Sequence, residues 1–239
     1  MRIFLTNDPE PILRRRPDLH VYQPEIAMPL TLPQWPDPHT SEGAAFFASA
    51  RKFHALYRGA GFDNPFAFGM IAEAEAESSF DCNALGDYVD MNGARLPWSA
   101  HPTGTPTSFG AHQRKVARTN AVRDGRRDAA GKVVTPGLGF DIAELARAGR
   151  NTIENEVQAT LWELHAYPSY GLAAILAAKT AWGAAYNATV SFERAGAIAG
   201  GAAEKRAAMA ETWVSLASGV WPRTRGPQPE RWRELTAGW

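Results

Sequence analysis

The sequence predicts a mainly α-helical fold, because apolar residues recur at three-to-four-residue spacing in several separate segments between residues 41 and 217. Residues 1–40 contain eight prolines, and residues 218–239 are rich in Arg, Trp and Pro. Proline fixes φ and lacks the backbone N–H that a helix interior needs, so neither end supports a long helix. We therefore predict one helical domain, residues 41–217, between an irregular proline-rich N-terminal arm, 1–40, and an irregular C-terminal tail, 218–239.

The composition fits one globular domain, and we expect neither a metal nor a cofactor. The chain has 239 residues, of which 45% are hydrophobic and 21% charged, enough for one full core. Its formal net charge is zero, which argues against nucleic acid as a partner. The single cysteine cannot form an intrachain disulfide, and the six His residues are scattered. No apolar run is long enough to span a bilayer and no signal peptide is visible, so no membrane insertion is expected.

Two helices are predicted directly after the N-terminal arm. The first carries a periodic apolar stripe from Ala45 to Tyr57 and ends at a stop signal, Gly59-Ala60-Gly61. The second is predicted to start with Asn64 as its N-cap and Pro65 at the first helical position. Its apolar residues lie on more than one side, which indicates a central, packed helix.

More helices are predicted in the second half of the domain. Asp141 is placed to cap a short helix, and Pro168 ends a longer one that begins near Ile153. Three further segments are rich in Ala with large residues on one side, which predicts close packing through small side chains. These segments are 170–178, 181–194 and 202–217.

The segment of residues 87–107 interrupts the helical pattern. Its Pro and Gly residues exclude a long helix, so we predict a loop or β-hairpin. Asn92-Gly93 is predicted to form a type I′ turn between short strands. Trp98 lies in this polar stretch, where it is better placed to stack on a bound ligand than to join a core.

Glu77 is the candidate proton donor. At 100° per residue it shares a stripe with Met70 and Glu73, whereas Glu75 lies on the opposite side. Glu73 and Glu75 are candidate helpers of Glu77, and the alternative for Glu75 is a pair with an Arg in the packed interior. Because Glu77 ends a packed helix, its carboxyl is predicted to be partly desolvated with a raised pKa, as a general acid requires. The alternative is a solvent-exposed helix end, which is the more usual place for Glu.

Four segments in a fixed order carry a family resemblance. They are Glu77-Ser78-Ser79-Phe80, Asn83 to Asp87, Ser108 to Gln113, and much of residues 156–213. Together they resemble the lysozyme-like superfamily of peptidoglycan-cleaving enzymes, in particular the phage tail lysozyme type, with lytic transglycosylases as more distant relatives. The resemblance covers about residues 45–215 and implies a lysozyme-like helical domain.

The resemblance also implies roles for individual residues. Glu77 is the general acid in this comparison. A Gly-x-x-Gln turn lines the sugar groove, and its Gln can both donate to and accept from a sugar acetamido or hydroxyl group. The matching substrate-binding residues here are Ser108, Phe109, Gly110 and Gln113.

Asp87 is the candidate second carboxylate. It follows Glu77 by ten residues, where it would stabilise an oxocarbenium-like centre or orient water. It suits a purely structural turn after Gly86 equally well, since Asp is common in turns. Glu77 would then act alone, as the resemblance to lytic transglycosylases implies, and a substrate hydroxyl would replace water as the nucleophile.

We therefore expect an enzyme that cleaves peptidoglycan glycan strands at the muramic-acid β-1,4 link. The resemblance to phage tail lysozymes implies a protein made in the bacterial cytoplasm that becomes part of a virion or tail-like particle and acts on the cell wall. Apolar residues in the arms, among them Trp35, are expected to pack on the domain or on a partner, which would be another protein of the particle. Two alternatives are a virion docking protein with an inactive lysozyme-like domain and a chitinase-like hydrolase.

Overall fold

The computed structural model describes residues 35–193 and 201–220, and over these residues the fold is mainly helical, as predicted. The described helices are α1 (Ser41–Gly59), α2 (Asn64–Ser78), α3 (Val116–Asp124), α4 (Ile142–Arg147), α5 (Ile153–Ala166), α6 (Leu172–Ala177), α7 (Ala181–Ala188) and α8 (Ala202–Val220). The described strands are β1 (Leu85–Gly86), β2 (Ser108–Phe109), β3 (Arg114–Lys115), β4 (Arg126–Arg127) and β5 (Val133–Thr135). They form one antiparallel sheet of order β1-β2-β3 and one of β4-β5.

Helix α2 lies at the centre of the helical body and packs against α1, α7 and α8. Every residue from Phe66 to Glu75 is buried, so the predicted central position is confirmed. Gly69 allows the closest approach, because a Cβ added there would lie 2.8 Å from the backbone nitrogen of Ala185. Ala184 and Ala185 of α7 are both fully buried, which confirms close packing through small side chains.

The start of α2 differs from the prediction by one residue. Asp63, rather than Asn64, is the N-cap, and its side chain accepts a hydrogen bond from the backbone N–H of Phe66 at 3.0 Å. Pro65 lies in the first turn, where its missing N–H costs nothing because the helix leaves that donor unpaired. The helix ends at Ser78, and the C-cap residue Ser79 has a left-handed backbone (φ 55°).

The three-stranded sheet follows α2 along the chain, with β2 in the middle. Phe109 pairs with Leu85 on one side and with Arg114 on the other, both antiparallel. The tight turn between β2 and β3 is closed by a hydrogen bond from the N–H of Gln113 to the carbonyl of Gly110. Both of these residues have a positive φ, of 46° and 77° respectively.

The insert of residues 87–107 is a loop with isolated bridges rather than a regular hairpin. Val89 forms antiparallel bridges with both Arg95 and Thr105. A 3-10 helix spans Trp98–Thr103 and interrupts any longer pairing.

The type I′ turn predicted at Asn92-Gly93 is wrong. A type I′ turn needs a positive φ at both central residues, and only Gly93 has one (φ 80°). Instead, the carbonyl of Asp90 accepts from the N–H of Gly93, and Oδ1 of Asp90 accepts from the N–H groups of Asn92 and Ala94. The Asp side chain therefore closes the turn.

Two helix boundaries predicted in the second half are confirmed. Asp141 caps α4 by accepting from the N–H of Ala143 at 2.8 Å. Helix α5 ends at Ala166, shortly before Pro168. The predicted helical segment 181–194 comprises α7 and a π-helical turn, Thr189–Glu193. The sequence did not signal the π geometry of this turn, which is often found at functional sites.

The packed body includes residues on both sides of the predicted domain, 41–217. At the N-terminal side, the indole of Trp35 stacks on Trp213 of α8 and meets Phe47 of α1 edge-on. At the C-terminal side, α8 continues to Val220. The rest of the predicted arm and tail lies outside the described residues. None of the helices within residues 35–193 and 201–220 combines the length and the apolar character needed to cross a membrane.

Candidate functional site

Glu77 lies in the last turn of α2, just before the chain leaves the helix at Ser79. Its side chain is 22% exposed, so the carboxyl is largely but not wholly removed from solvent. Arg206 of α8 donates a hydrogen bond from Nη2 to Oε1 of Glu77, with 2.5 Å between the two atoms. Because a guanidinium only donates, Oε1 is an acceptor here, and a proton on Glu77 sits on Oε2.

Arg206 also binds Glu73, one helical turn before Glu77. Its Nη1 donates to Oε2 of Glu73 at 2.5 Å. The hydroxyl of Thr189, in the π-helical turn, donates to the other oxygen of Glu73 at 2.5 Å. Glu73 is fully buried. One guanidinium therefore serves two carboxyl groups, one buried and one partly open to solvent.

Both carboxyl groups hold a proton more tightly than an ordinary Glu. Burial raises the pKa of Glu73 to about 8, with Arg206 acting in the opposite direction. Burial also raises the pKa of Glu77, and the negative charge of Glu193 adds to this effect against Arg206. The direction for Glu77 agrees with the prediction from its place in the sequence. A carboxyl of this kind can donate a proton near neutral pH.

Glu193 and His112 form a second buried pair near Glu77. Glu193 ends the π-helical turn, and Nδ1 of His112 lies 2.9 Å from its Oε1. Burial by itself would raise the pKa of Glu193, but the bond to His112 and the positive charges of Arg118 and Arg206 lower it below the ordinary value. Glu193 therefore stays ionised at neutral pH and acts on Glu77 as a fixed negative charge.

Arg114 anchors the β2–β3 turn to α5. Its fully buried guanidinium pairs with Glu156 and donates from Nε to Oε2 of Glu163 at 2.7 Å. Arg118 of α3 also binds Glu163, with 2.6 Å between Nε and Oε1. Buried charges are tolerated when each one is paired and hydrogen-bonded, as here. The network holds in place the turn that carries His112.

Gln113, predicted to bind sugar, uses its amide within the turn. Its Oε1 accepts from the hydroxyl of buried Ser108 at 2.8 Å, and its Nε2 donates to the carbonyl of Gly110 at 3.0 Å. A Cβ added at Gly110 would lie 2.0 Å from Oε1 of Glu156, so only glycine fits there. The structure thus brings these three predicted residues together, and their described hydrogen bonds shape the turn itself.

Phe109 belongs to the core. Its ring is fully buried, packs in one apolar cluster with Ile142 and Trp162, and has the guanidinium of Arg147 over it at 4.4 Å. A buried ring offers no face to a sugar, so in this structure Phe109 serves packing rather than stacking. Trp98 begins the 3-10 helix of the insert, and its side chain lies outside the described part of the chain.

Asp87, the candidate second carboxylate, follows β1 with a positive φ of 48°. Arg95 donates to one of its oxygens at 2.8 Å, and Lys115 binds the other. Burial opposes ionisation, but these two cations lower the pKa of Asp87 below the ordinary value. Asp87 therefore stays ionised, which a catalytic second carboxylate requires. Its charge is balanced by Arg95 and Lys115, which equally suits a purely structural role in the turn.

Glu75 faces away from Glu77, as predicted, and its partners are two indoles rather than Glu77 or an Arg. The indole Nε1 of Trp213 donates to Oε2 of Glu75 at 2.6 Å, and the indole of Trp35 donates to Oε1. Burial raises the pKa of this carboxyl, with the two indole N–H groups acting in the opposite direction. Each oxygen of the Glu75 carboxyl therefore accepts one hydrogen bond from a neutral donor.

Sequence reasoning misses Arg206, Glu193 and His112 as members of the site. Arg206 lies 129 positions from Glu77 in an Ala-rich helix, and no local pattern marks it. His112 carries the strongest available signal, since it lies inside the Gly-x-x-Gln turn. These side chains meet only because α8 and the π-helical turn pack beside α2.

Comparison with known proteins adds no relative. No protein-family model matches the chain, and neither a curated protein nor a solved structure matches it. Among residues 35–193 and 201–220, no group of three or more His, Cys, Asp and Glu side chains is arranged to hold a metal ion. The lysozyme-like resemblance therefore depends on the sequence segments themselves.

Proposed function

We propose that the protein is a lysozyme-like glycosidase that cleaves peptidoglycan glycan strands, with Glu77 as the proton donor at the muramic-acid β-1,4 link. The observation that carries this proposal is the environment of Glu77: its pKa is raised, and its side chain is still 22% exposed to solvent. An ordinary exposed Glu is ionised near neutral pH, and a wholly buried one cannot reach a substrate. Glu77 combines a raised pKa with partial exposure.

The contacts of Glu77 also suit directional proton donation. Oε1 receives the hydrogen bond from Arg206, which leaves Oε2 to carry the proton. A glycan strand lying over Glu77 would remove its remaining water. Because desolvation disfavours the charged form of a carboxyl, the neutral acid would be favoured further in the complex.

A lytic transglycosylase is the second candidate, and the ion pairs of Asp87 favour it. With Arg95 and Lys115 bound to its two oxygens, Asp87 has less freedom to orient water or to stabilise a positive sugar centre. Glu77 would then act alone, and a hydroxyl of the substrate would close a 1,6-anhydro ring. A hydrolase would use water and leave a reducing sugar instead.

Mass spectrometry of digested peptidoglycan tests the proposal and separates these two reactions. We would compare the wild type with Glu77→Gln, which keeps an acceptor for Arg206 but has no proton to donate as an acid. Glu144→Gln is the matched control, because Glu144 is exposed on α4. The wild type and the control are expected to release soluble muramic-acid fragments, and Glu77→Gln is not. Reducing ends identify a hydrolase, and anhydro ends identify a transglycosylase.

Two results would contradict the proposal. A folded wild type that releases no fragments at any pH from about 4 to about 8 would favour a particle protein with an inactive lysozyme-like domain. Cleavage of chitin oligomers as fast as peptidoglycan would favour a chitinase-like hydrolase.

We further propose that the enzyme belongs to a phage tail or tail-like particle that delivers it to the cell wall. Support comes from the resemblance to phage tail lysozymes and from apolar residues elsewhere in the arms, such as Phe4, Trp232 and Trp239. Trp35 itself packs on the helical body. The full chain is expected to co-purify with the particle, and a fragment of residues 35–220 is not. Retention of the fragment would place the docking surface on the helical body.

A further inference from the structure

We infer that Glu73 is a positioning residue for the proposed acid: Glu73 and Glu77 share one proton across the guanidinium of Arg206, and an anionic Glu73 allows Glu77 to hold that proton. The inference rests on the proposed function for its catalytic meaning, but the shared proton itself follows from geometry. The two carboxyl groups lie one turn apart on α2 and bind the two Nη atoms of one side chain, each at 2.5 Å.

Charge balance around Arg206 favours one proton on the pair. With both carboxyls ionised, two negative charges would face one positive charge where Glu73 is fully buried and Arg206 is 12% exposed. With both neutral, the guanidinium would lack a counter-charge. A single proton gives a neutral cluster, which is the least costly state in a desolvated site. Such coupled carboxyls lose their protons in two separated steps that belong to the pair.

The other titratable groups that face the pair have partners of their own. From the π-helical turn, Glu193 is bonded to His112 of the β2–β3 turn and lies 3.7 Å from Arg118 of α3. Its charge opposes the loss of the shared proton without occupying the shared guanidinium. On α2 itself, Glu75 turns to the opposite side and binds two indoles. Within the described residues, a single guanidinium therefore serves the pair.

Access to water decides which carboxyl holds the proton. In the free protein Glu77 keeps some solvent, whereas Glu73 has none, so the negative charge is better placed on Glu77. A substrate that covers Glu77 removes this advantage. Glu73, which accepts from both Thr189 and Arg206, then becomes the better anion. The proton resides on Oε2 of Glu77, passes to the leaving glycosidic oxygen, and is replaced from solvent.

Two substitutions should move the pH profile of kcat/KM in opposite directions. Glu73→Gln keeps an acceptor but cannot be an anion, so Arg206 pairs with Glu77 alone. In the kcat/KM profile of Glu73→Gln, the alkaline limb is expected to shift toward lower pH by at least about one pH unit. On that limb the variant is about tenfold less active than the wild type. Arg206→Gln removes the shared cation, and its alkaline limb is expected to shift by a similar amount toward alkali. Glu73→Asp keeps the charge and should restore part of the wild-type profile.

Carboxyl ¹³C NMR titration gives a readout that does not need activity. In the wild type, the signals of Glu73 and Glu77 are expected to share two titration steps. In Glu73→Gln, the Glu77 signal is expected to show one step at lower pH. If Arg206→Gln does not fold, this comparison alone decides the question.

The outcomes distinguish the two proposals. Independent single steps in the wild type, or a loss of activity that is equal at every pH, would overturn the inference and make Glu73 a structural residue. Shared steps in a wild type that cleaves no peptidoglycan would support the shared proton and reject the proposed function.

Discussion

The indoles of Trp35 and Trp213 stack with their ring centroids 4.6 Å apart, and both donate their N–H groups to the buried carboxyl of Glu75. The contact ties the N-terminal arm to α2 and α8. Glu75 lies on the same helix as Glu77 but on the opposite side of it. Trp35 therefore supports the helix that carries the proposed acid.

A fragment of residues 35–220 is expected to be more stable than one of residues 41–217. Removal of Trp35 loses the burial of a large aromatic ring and one hydrogen bond to Glu75, together about 2–4 kcal/mol. Urea unfolding of the two fragments measures the difference. Trp35→Phe in the longer fragment keeps a ring but loses the donor, so its midpoint should fall between them. Equal midpoints for the two fragments would show that Trp35 adds no stability.

Glu75→Gln and Glu77→Gln are expected to have opposite effects. At Glu75 the amide N–H₂ would face an indole N–H, so the free energy of unfolding should fall by about 1–3 kcal/mol while turnover of the folded protein stays within a few-fold. At Glu77 the fold should persist, and turnover should fall by at least ~10²–10⁴-fold. Thermal melts and steady-state kinetics on both variants measure these effects. More than a tenth of wild-type turnover in Glu77→Gln would remove Glu77 as the acid.

The helices are largely predictable because their start and stop signals act within one turn. Asp141 caps α4 through a hydrogen bond to the N–H of Ala143, and Gly59 is the last residue of α1. The one-residue error at α2 arises because Asp63 and Asn64 are both good caps, and sequence alone does not choose between them. The π-helical turn after α7 has no comparable local signal.

A site residue is predictable from the sequence only where its local position, such as a helix end, already indicates its chemical role. Glu77 stands out because a helix end and a polar loop meet there. Arg206 does not, because its distance from Glu77 depends on how α8 packs. The sequence cannot tell whether Phe109 lines a groove or joins the core, because an apolar ring suits both places. Its burial depends on packing against residues that follow it in the chain. Tertiary packing decides both cases.

Glu73 is expected to make stability depend on pH. Its pKa rises from 4.5 to about 8 in the folded protein, so the folded state keeps a proton that the unfolded chain releases. Its stabilising contribution is fully present below pH 4.5 and is lost as the pH rises toward about 8. The wild type should lose up to about 1.4 kcal/mol per pH unit relative to Glu73→Gln in this window. Chemical unfolding at several pH values measures both curves, and parallel curves would contradict the prediction.

Arg114→Met is expected to destabilise the protein by about 3–5 kcal/mol, because it leaves Glu156 and part of the charge on Glu163 buried without a counter-charge. The double variant Arg114→Met/Glu156→Gln removes one of these charges and should recover part of the loss. Guanidinium chloride unfolding measures both. A double variant no more stable than Arg114→Met would mean that the loss comes from packing rather than from unpaired charge.

Gln113→Ala is expected to lower the free energy of unfolding by about 1–2 kcal/mol, because the hydroxyl of buried Ser108 loses its acceptor and the carbonyl of Gly110 loses a donor. The positive φ of 46° at this position remains a strain for Ala, so Gln113→Gly should be more stable than Gln113→Ala by about 0.5–1 kcal/mol.

The same two variants show whether Gln113 also contacts sugar. Calorimetry with a soluble glycan-strand oligomer, in a Glu77→Gln background that prevents cleavage, measures the affinity. If Gln113 binds the substrate, both variants should lose roughly 1–3 kcal/mol of binding free energy to the same extent, because both lack the amide. If Gln113 only shapes the turn, the affinity of Gln113→Gly should recover along with its stability. Full affinity in Gln113→Ala would remove Gln113 from the sugar-binding residues.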